Sequence, residues 1–276
     1  MSSVSVVIPA LDEEENIAAT LAAIPVKRLQ ELGHEVELLV VDNGSTDRTG
    51  EVARRHGARV LVQPVRGYGN AYKAGFANSV GDIIATGDAD LTYPFEILPD
   101  ALDLMDRDRL DFLSTNRLHN VDPRAMTPSH IWANRMLTGV SRFLYDNLPF
   151  RDSQSGMWIF RRAVWNRCRI LSGGMPFSQE IKLAAFRNGF RCGEMPIQYR
   201  PRGGQKKLRS LRDGALVAGH IVARRMRADW SRPEPPAALG AETDAGRAHP
   251  HPAIRHSPTR AHHPADKDRK TPRAQS

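Results

Sequence analysis

The stretch GDIIATGDADLTYP, residues 81–94, joins a short apolar run to a pair of aspartates. The run 82–86 is rich in β-branched residues and ends at a glycine, which predicts a buried strand. Asp88 and Asp90 follow this strand, one residue apart. Side chains two positions apart in an extended chain point the same way, so both carboxylates can share one face. Two like charges placed together indicate a cation between them, and hard oxygen ligands suit Mg²⁺ or Mn²⁺.

An isolated pair of this kind is more often a turn or a helix cap, so the surrounding pattern matters. Strands are predicted at residues 4–8, 37–41, 59–62, 82–86 and 111–114. Helices are predicted at residues 12–24, from the turn DNGSTD to Gly57, and at residues 71–79. This alternation predicts an α/β fold with an open, mostly parallel central sheet and helices on both faces.

Acidic residues follow three of the predicted strands. They occupy residues 9–14, residues 42–47 and residues 88–90. Ligands of open α/β sheets bind outside the carboxyl ends of the strands. The sequence therefore predicts one acidic site at that edge of the sheet.

The pattern is less regular after residue 116. Helices are predicted at residues 131–145, 177–188 and 208–230, and a strand at residues 157–160. The helix at 208–230 mixes apolar residues with arginines, so it either lies on an anionic membrane surface or packs on the core with a solvated basic face. Residues 231–276 are rich in proline and histidine and lack aromatic residues, which predicts a disordered tail after a domain of residues 1–230.

Composition restricts the partners and the compartment. The net charge is +8, and residues 187–227 are crowded with arginine and lysine. A basic surface suits nucleic acid, an anionic membrane or a phosphorylated substrate. The two cysteines suggest neither a disulfide framework nor a zinc site. No stretch approaches the roughly 18 apolar residues of a membrane span. We expect a cytoplasmic protein with peripheral contact to the inner face of the cell membrane.

Six motifs in fixed order resemble the family 2 glycosyltransferases with the GT-A fold. They are VVIPALDEEENI (6–17), LLVVDNGSTDRT (38–49), RGYGNAYKAGF (66–76), GDADLTYP (87–94), DSQSGMWIFRR (152–162) and EMPIQYRPRGGQKKL (194–208). The resemblance covers about residues 4–208. Within the family, the chain is most similar to the dolichol-phosphate mannose synthases, which move a sugar from a nucleotide donor to a polyprenyl phosphate.

The resemblance implies a role for each matching residue on the donor side. Pro9, Leu11 and Glu13 would line the nucleoside pocket, and Asp42 would hydrogen-bond the base. Asp88 would lie near the ribose, the phosphates or the metal, and Asp90 would be the direct metal ligand. Thr92 stands where the mannose synthases commonly have a further glutamine ligand. The glycines Gly67 and Gly69 either open a helix start that binds phosphate or form a plain strand-to-helix turn.

Basic residues would serve the acceptor and the leaving group. By resemblance, Arg117 would bind the acceptor phosphate, although a solvated surface arginine is an equal alternative. Arg135, Thr138 and Asn134 would add further phosphate contacts. The family pattern Arg-x-Gly-x-Ser-Lys-Leu matches Arg202, Gly204, Lys207 and Leu208, with Lys206 in place of the serine. Arg202 and Lys207 would neutralise the departing diphosphate.

The expected reaction is metal-dependent, inverting transfer of a hexose, mannose from GDP-mannose, onto a polyprenyl phosphate. A phosphate nucleophile is already an anion and needs no strong base. A hydroxyl acceptor, on a glycan or natural product, is the alternative and would require a carboxylate base, with Asp152 and Glu180 as candidates. A non-catalytic basic protein that binds nucleic acid or membrane is the remote alternative. The ordered acidic motifs argue against it, so no nucleic-acid partner is expected.

Overall fold

A computed structural model of the chain describes residues 2–119, 121–203, 210–226 and 229–230. The tail 231–276 and the motif residues Gly204, Lys206, Lys207 and Leu208 lie outside the described residues, so the expectations for them, and for a domain boundary after residue 230, stay predictions.

The described residues contain one seven-stranded sheet. Its strands are β1 (Ser3–Ala10), β2 (Glu35–Asp42), β3 (Arg59–Val62), β4 (Ile83–Thr86), β5 (Phe112–Asn116), β6 (Trp158–Arg161) and β7 (Cys192–Pro196). The strand order is β3-β2-β1-β4-β6-β5-β7. Strand β6 pairs antiparallel with both β4 and β5, and the other pairs are parallel. The predicted mostly parallel sheet is therefore confirmed.

Helices cover both faces of this sheet. They are α1 (Ile17–Ala22), α2 (Val26–Glu31), α3 (Thr49–Arg55), α4 (Tyr68–Asn78), α5 (Leu98–Arg107), α6 (Pro128–Leu144), α7 (Arg162–Arg167), α8 (Phe177–Arg187) and α9 (Ser210–Arg225). Successive residues of β1 face opposite sides of the sheet. Val7 joins a core cluster that includes residues of α4 and α8, whereas Val6 and Ile8 join a cluster that includes residues of α1 and α5. Two apolar layers thus hold the sheet between them.

The first predicted helix starts later than its sequence pattern suggested. Asp12 has a φ of +50°, a left-handed conformation that cannot continue a helix. Its Oδ1 accepts hydrogen bonds from the backbone N–H and the hydroxyl of Thr46, at 2.7 and 3.1 Å. This contact between two loops turns the chain away from β1, and the helix begins at Ile17. The sequence analysis also missed α2, α5, α7 and β7.

The C-terminal helix α9 packs against α6 and α8. Val217 and Arg224 are buried, and the Arg224 guanidinium lies 4.0 Å from the centre of the Trp230 ring. Glu180 of α8 forms ion pairs with Arg224 Nε at 2.9 Å and with His220 at 3.1 Å. These contacts favour the alternative in which the helix packs on the core. Among the described residues, no helix combines the length and apolar character that a membrane span requires.

Candidate active site

Two cavities meet at the carboxyl ends of β1, β2 and β4. The first, here called the β1 cavity, has a volume of about 260 Å³ and lies beside the ends of β1 and β2. The second, here called the α6 cavity, has a volume of about 460 Å³ and is bounded on one side by α6. Tyr68, Asp88, Met175 and Arg202 line both of them. A group bound in one cavity would therefore contact the same four side chains as a group bound in the other.

The β1 cavity brings together three residues that the sequence singled out, Pro9, Leu11 and Glu13. Pro9 lies near the end of β1, and Leu11 and Glu13 follow that strand, so one local motif contains all three. Their role in binding a nucleoside stays a prediction. Asp42 is placed differently. Its Oδ1 accepts the backbone N–H of Ser45 at 2.8 Å, and it is not among the described residues that line the cavity. Its role in binding the base stays a prediction.

Gly67 directly precedes α4, at a point where another segment of backbone packs too closely to leave room for a side chain. It has a φ of +153°, and a Cβ there would lie 2.5 Å from the carbonyl oxygen of Gly173. The N–H of Gly67 donates to Asn43 Oδ1 at 3.1 Å, and the N–H of Asn70 donates to Gly173 at 3.0 Å. At Gly69, a Cβ would lie 2.7 Å from the carbonyl oxygen of Ser172. Close packing accounts for both glycines, and phosphate binding at Gly67 stays a prediction.

Asp90 is buried and already holds partners on both carboxylate oxygens. Oδ1 accepts the N–H of Thr92 at 3.2 Å and the Thr92 hydroxyl at 2.6 Å. Oδ2 lies 2.8 Å from Nη2 of Arg202. The two hydrogen bonds from Thr92 thus fix the orientation of the Asp90 carboxylate.

Asp88 is half-buried at the junction of the two cavities. Burial and, to a smaller degree, the charge of Asp90 raise the pKa of Asp88 to about 7, although Arg202 and Arg117 oppose the rise. A cation bound between the two carboxylates would oppose this rise, because it would stabilise the charged form of Asp88.

Backbone pairing positions Arg202 beside the aspartates. The N–H of Arg200 donates to the carbonyl of Thr92, and the N–H of Gly203 donates to the carbonyl of Asp90, both at 3.0 Å. Asn16 Nδ2 donates to the carbonyl of Gly203 at 3.0 Å. Nε of Arg202 is buried and has no hydrogen-bond partner among the described residues. The ion pair with Asp90 and the backbone hydrogen bonds of residues 200 and 203 position the guanidinium, and its Nε–H group is left to donate to a ligand.

Arg117 forms a buried ion pair with Asp152 on the other side of the α6 cavity. Nε donates to Oδ2 at 2.8 Å and Nη2 donates to Oδ1 at 3.0 Å, which is a bidentate pair. The backbone N–H groups of Arg117 and Gln154 also donate to the same carboxylate. Burial alone would raise the pKa of Asp152, but Arg117 outweighs it and holds that pKa below its ordinary value.

Of this pair, Arg117 lines the α6 cavity, whereas Asp152 is not among the described residues that do. Glu180 likewise lies away from the cavity, where its carboxylate accepts the backbone N–H groups of Leu171 and Ser172 under α9. Both candidate bases thus have structural partners. Their assignment as bases stays a prediction.

Lys182 is a buried residue that hydrogen-bonds the backbone next to the Arg117–Asp152 pair, and the sequence analysis missed it. Its Nζ donates to the carbonyls of Asp152 and Ser155, at 3.0 and 2.9 Å. Burial lowers the pKa of Lys182 to about 7, against the opposing effect of the Asp152 charge. A lysine in an amphipathic helix gives no signal for such a role, because most are solvated.

Helix α6 presents a mixed set of residues to its cavity. Asn134 and His130 line it, whereas Arg135 is exposed and is not among its described lining residues. Thr138 is buried, and its hydroxyl hydrogen-bonds Ser153 Oγ at 3.0 Å. Phosphate contacts by Arg135 and Thr138 stay predictions. Tyr68 and Tyr199 also line the cavity and carry no motif signal beyond their position next to Gly67 and the basic loop.

Known proteins are similar to this chain in sequence and in fold. The family model for Glycosyl transferase family 2 matches residues 5–168. A dolichyl-phosphate hexose transferase of Haloferax volcanii is 33% identical over 218 residues, which cover 79% of this chain and 92% of that protein. The low-salt glycan biosynthesis hexosyltransferase Agl6 of the same organism is 37% identical over 214 residues, 77% of this chain. The matched region spans about half, 51%, of that relative's length.

A solved structure shows the same fold. Glucosyl-3-phosphoglycerate synthase from Mycobacterium tuberculosis, in complex with Mn²⁺, UDP-glucose and phosphoglyceric acid, superposes with a TM-score of 0.65 at 19% identity. The superposition covers 81% of this chain and 80% of that one. The expected GT-A architecture is thereby confirmed. The chain belongs to glycosyl transferase family 2 and is a glycosyltransferase.

Proposed function

We propose that the protein transfers a hexose, mannose from GDP-mannose, to a polyprenyl phosphate with inversion at the anomeric carbon. The observation that carries this proposal is the junction of two cavities at Asp88 and Arg202. A nucleotide-sugar donor in the β1 cavity would place its diphosphate at that junction. An acceptor in the α6 cavity would then approach from the far side. The relative that this chain covers over 92% of its length, a dolichyl-phosphate hexose transferase, supports the acceptor class.

A divalent cation, Mg²⁺ or Mn²⁺, fits the junction only if the donor completes its coordination. The described residues contain no cluster of three or more His, Cys, Asp or Glu side chains that could hold a metal. Asp88 and Asp90 supply two carboxylates, which is the number that Mg²⁺ sites with substrate phosphates commonly use. Burial and the nearby Asp90 charge raise the pKa of Asp88, and a cation would stabilise both carboxylates in their charged form. When bound, the ion would neutralise charge on the leaving diphosphate.

Arg202 would serve the same diphosphate. Its Nε is buried without a described partner, and its Nη2 is within 2.8 Å of Asp90. Turning toward a donor phosphate would give the guanidinium the bidentate partner that it lacks. Arg202 therefore stabilises charge on the leaving group while Asp90 keeps it near the junction.

The acceptor side needs an anion-binding group and no base. Arg117 lines the α6 cavity and is held rigidly by Asp152, with its guanidinium 5.3 Å from the centre of the Tyr199 ring. A phosphate monoester at this point is already ionised, so the enzyme has only to orient it. Asp152 is committed to Arg117, which agrees with an acceptor that requires no proton removal.

A transfer assay tests this proposal. The purified chain is incubated with labelled nucleotide sugars, including GDP-mannose, and a short-chain polyprenyl phosphate, with Mg²⁺, Mn²⁺ or a chelator. We expect label in the lipid fraction, loss of transfer with the chelator, and an inverted anomer by NMR. Donor consumption that labels only a hydroxyl acceptor would overturn the lipid-phosphate assignment. In that case His130, which lines the α6 cavity, joins Asp152 and Glu180 as a residue to test as the base.

A further inference from the structure

Helix α6 has two apolar faces, and only one of them packs on the protein. Leu137 on the inner face is buried. On the outer face, Trp132 is 66% exposed, Met136 51% and Phe143 84%. At 100° per residue these three side chains lie within about 40° of one another around the helix. We call them the Trp132 stripe.

The Trp132 stripe is unusual for a surface helix. Single exposed apolar residues are normal, but large ones aligned along a helix mark an interaction site. Gly139 lies on the same line and has no atom within 4 Å of the position that a Cβ would take, so the outward face is open there. Val222 of the neighbouring helix α9 and Met226, directly after that helix, are 52% and 84% exposed. Because α9 packs against α6, two adjacent segments carry exposed apolar side chains.

Positive charge accompanies this apolar surface. Arg135 and Arg142 are exposed on one flank of α6, about 80–100° from the centre of the stripe by helical geometry. Arg225 is exposed as well, and its Nε donates to the carbonyl of Leu144 at 2.9 Å, which ties α9 to the end of α6. Long arginine side chains beside an apolar stripe can reach lipid phosphates while the stripe enters the acyl boundary.

The α6 cavity lies on the other side of the helix that carries the stripe. The opposite side of the same helix supplies Ala133, Asn134 and Leu137 to the cavity wall, and exposed Arg124 lies at the same cavity just before the helix. Any surface in contact with the Trp132 stripe would therefore also lie close to the α6 cavity. An acceptor with a lipid tail needs that arrangement, because its phosphate must enter the cavity while the tail stays out of water.

We propose that the Trp132 stripe lies against an anionic lipid bilayer, with the flanking arginines on the headgroups. The choice of a bilayer rests on the aromatic and sulfur-containing stripe, the basic flank and the link to the cavity, and partly on the proposed lipid-phosphate acceptor. Tryptophan and phenylalanine beside arginine are typical of helices that lie in the membrane interface. The contact positions the protein and takes no part in the chemistry.

Vesicle sedimentation tests the surface without any acceptor or donor. The full chain is mixed with phosphatidylglycerol–phosphatidylcholine vesicles, and the partition coefficient is compared with that of W132S/M136S/F143S. We expect the triple variant to bind at least about tenfold more weakly. The matched control, L32S/V80S, removes two apolar residues of similar exposure on other elements and is expected to bind like the wild type. Arg142→Gln should weaken binding up to about fivefold, and only on anionic vesicles.

Tryptophan fluorescence supplies a second readout. Trp132 is exposed, whereas Trp158, Trp165 and Trp230 are buried. Vesicles with brominated acyl chains should therefore quench the emission of Trp132, and the effect should disappear in Trp132→Phe. Because this change keeps an aromatic ring on the surface, it tests location even if the triple variant folds poorly.

Two results would overturn the proposal. One is equal vesicle binding by the wild type and the triple variant, with no quenching of Trp132. The other is a wild-type dimer that the triple variant converts to a monomer with unchanged vesicle binding, which would make the stripe an interface between copies of the chain. Failure of the transfer assay with stripe-dependent vesicle binding would instead disprove the lipid-phosphate acceptor and leave the membrane surface standing.

Discussion

Two carboxylate–arginine pairs face the α6 cavity from different sides, and they are built differently. The Arg117 and Asp152 side chains are 10% and 0% exposed, and the carboxylate receives four hydrogen bonds from Arg117 and Gln154. The Arg202 and Asp90 side chains are 29% and 4% exposed, and they meet through one contact at 2.8 Å. The first pair is saturated, whereas the second leaves donors unused.

The difference indicates separate jobs for two similar pairs. A saturated buried pair cannot release either partner without leaving a charge in a poorly solvated place. The Asp152 pair therefore fixes Arg117 as a rigid wall of the cavity. The Asp90 pair can exchange its arginine for a ligand at lower cost, because Arg202 is partly solvated. We expect substitutions to act on stability at the first pair and on transfer at the second.

The largest expected effect is on the saturated pair. Asp152→Asn should lower the free energy of unfolding by about 3–5 kcal/mol, because it leaves the Arg117 charge buried without its counter-ion. Urea unfolding measures this change. The matched control Asp106→Asn breaks an exposed pair with Arg161 and should cost less than about 1 kcal/mol. Equal losses in both variants would contradict the contrast between the pairs.

Acidic pH should remove the contribution of the Arg117–Asp152 pair to the free energy of unfolding. The pKa of Asp152 in the folded protein lies below the ordinary 3.8. Its stabilising effect is thus complete above pH 3.8 and is lost as the pH falls through the lower folded pKa. The stability difference between wild type and Asp152→Asn should stay constant from neutral pH down to that range and shrink below it. A difference that shrank near pH 6 would assign the effect to another group.

Asp90→Asn should act on transfer instead. We expect the rate of sugar transfer to fall about 10²–10³-fold, because the donor diphosphate and its cation lose a full negative ligand. Thermal stability should stay nearly unchanged or improve, since repulsion between Asp88 and Asp90 is relieved. Asp103→Asn, at an exposed position on α5, is the control for both measurements. A large loss of stability with normal transfer would make Asp90 structural.

One substitution applied to both arginines sharpens the comparison. Lysine keeps the charge but cannot form the bidentate contact. Arg117→Lys should destabilise the protein by about 1.5–3 kcal/mol, the value of hydrogen bonds to a charged group. Arg202→Lys should leave unfolding unchanged and reduce transfer about tenfold. Calorimetry gives the stability of each variant, and a transfer assay gives its activity. A loss of stability in Arg202→Lys together with a loss of transfer alone in Arg117→Lys would reverse the roles assigned to the two pairs.

The smallest effect is expected at Gly203. A Cβ there would lie 2.5 Å from Asn16 Oδ1, so Gly203→Ala must shift a side chain that holds the Arg202 segment. We expect transfer to fall a few-fold, with less than about 1 kcal/mol lost in stability. Gly33→Ala is not a suitable control, because its φ of +87° would add strain. Gly139→Ala, in open space on α6, serves better.

The acidic strand ends were predictable because their signal is local. Each apolar run of the first 115 residues forms its strand, and the parallel order brings residues 9–13 and 88–90 to one edge. Pro9, Leu11 and Glu13 line a cavity at this edge, and their role in binding a nucleoside stays a prediction. The early helix start was predicted wrongly, because Asp12 bonds to Thr46 of another loop instead of extending α1.

Partners distant in the chain could not be predicted. The sequence analysis singled out Arg117 as a phosphate ligand and Asp152 as a candidate base. Nothing local indicated that the two side chains pair with each other, because they are 35 residues apart in the chain. Lys182 gave no signal, because its partners are backbone carbonyls. The apolar character of α6 was visible, but periodicity does not say which apolar face will be covered by the rest of the protein.

The sequence by itself determined the alternating strands, the acidic edge and the family, because these depend on side-chain periodicity and on motifs within a few residues. Tertiary structure alone decided which arginine pairs with each carboxylate, where the two cavities meet, and that the Trp132 stripe faces outward. Pairing and burial depend on distances between segments far apart in the chain. Those distances exist only once the sheet has assembled and both of its faces are packed.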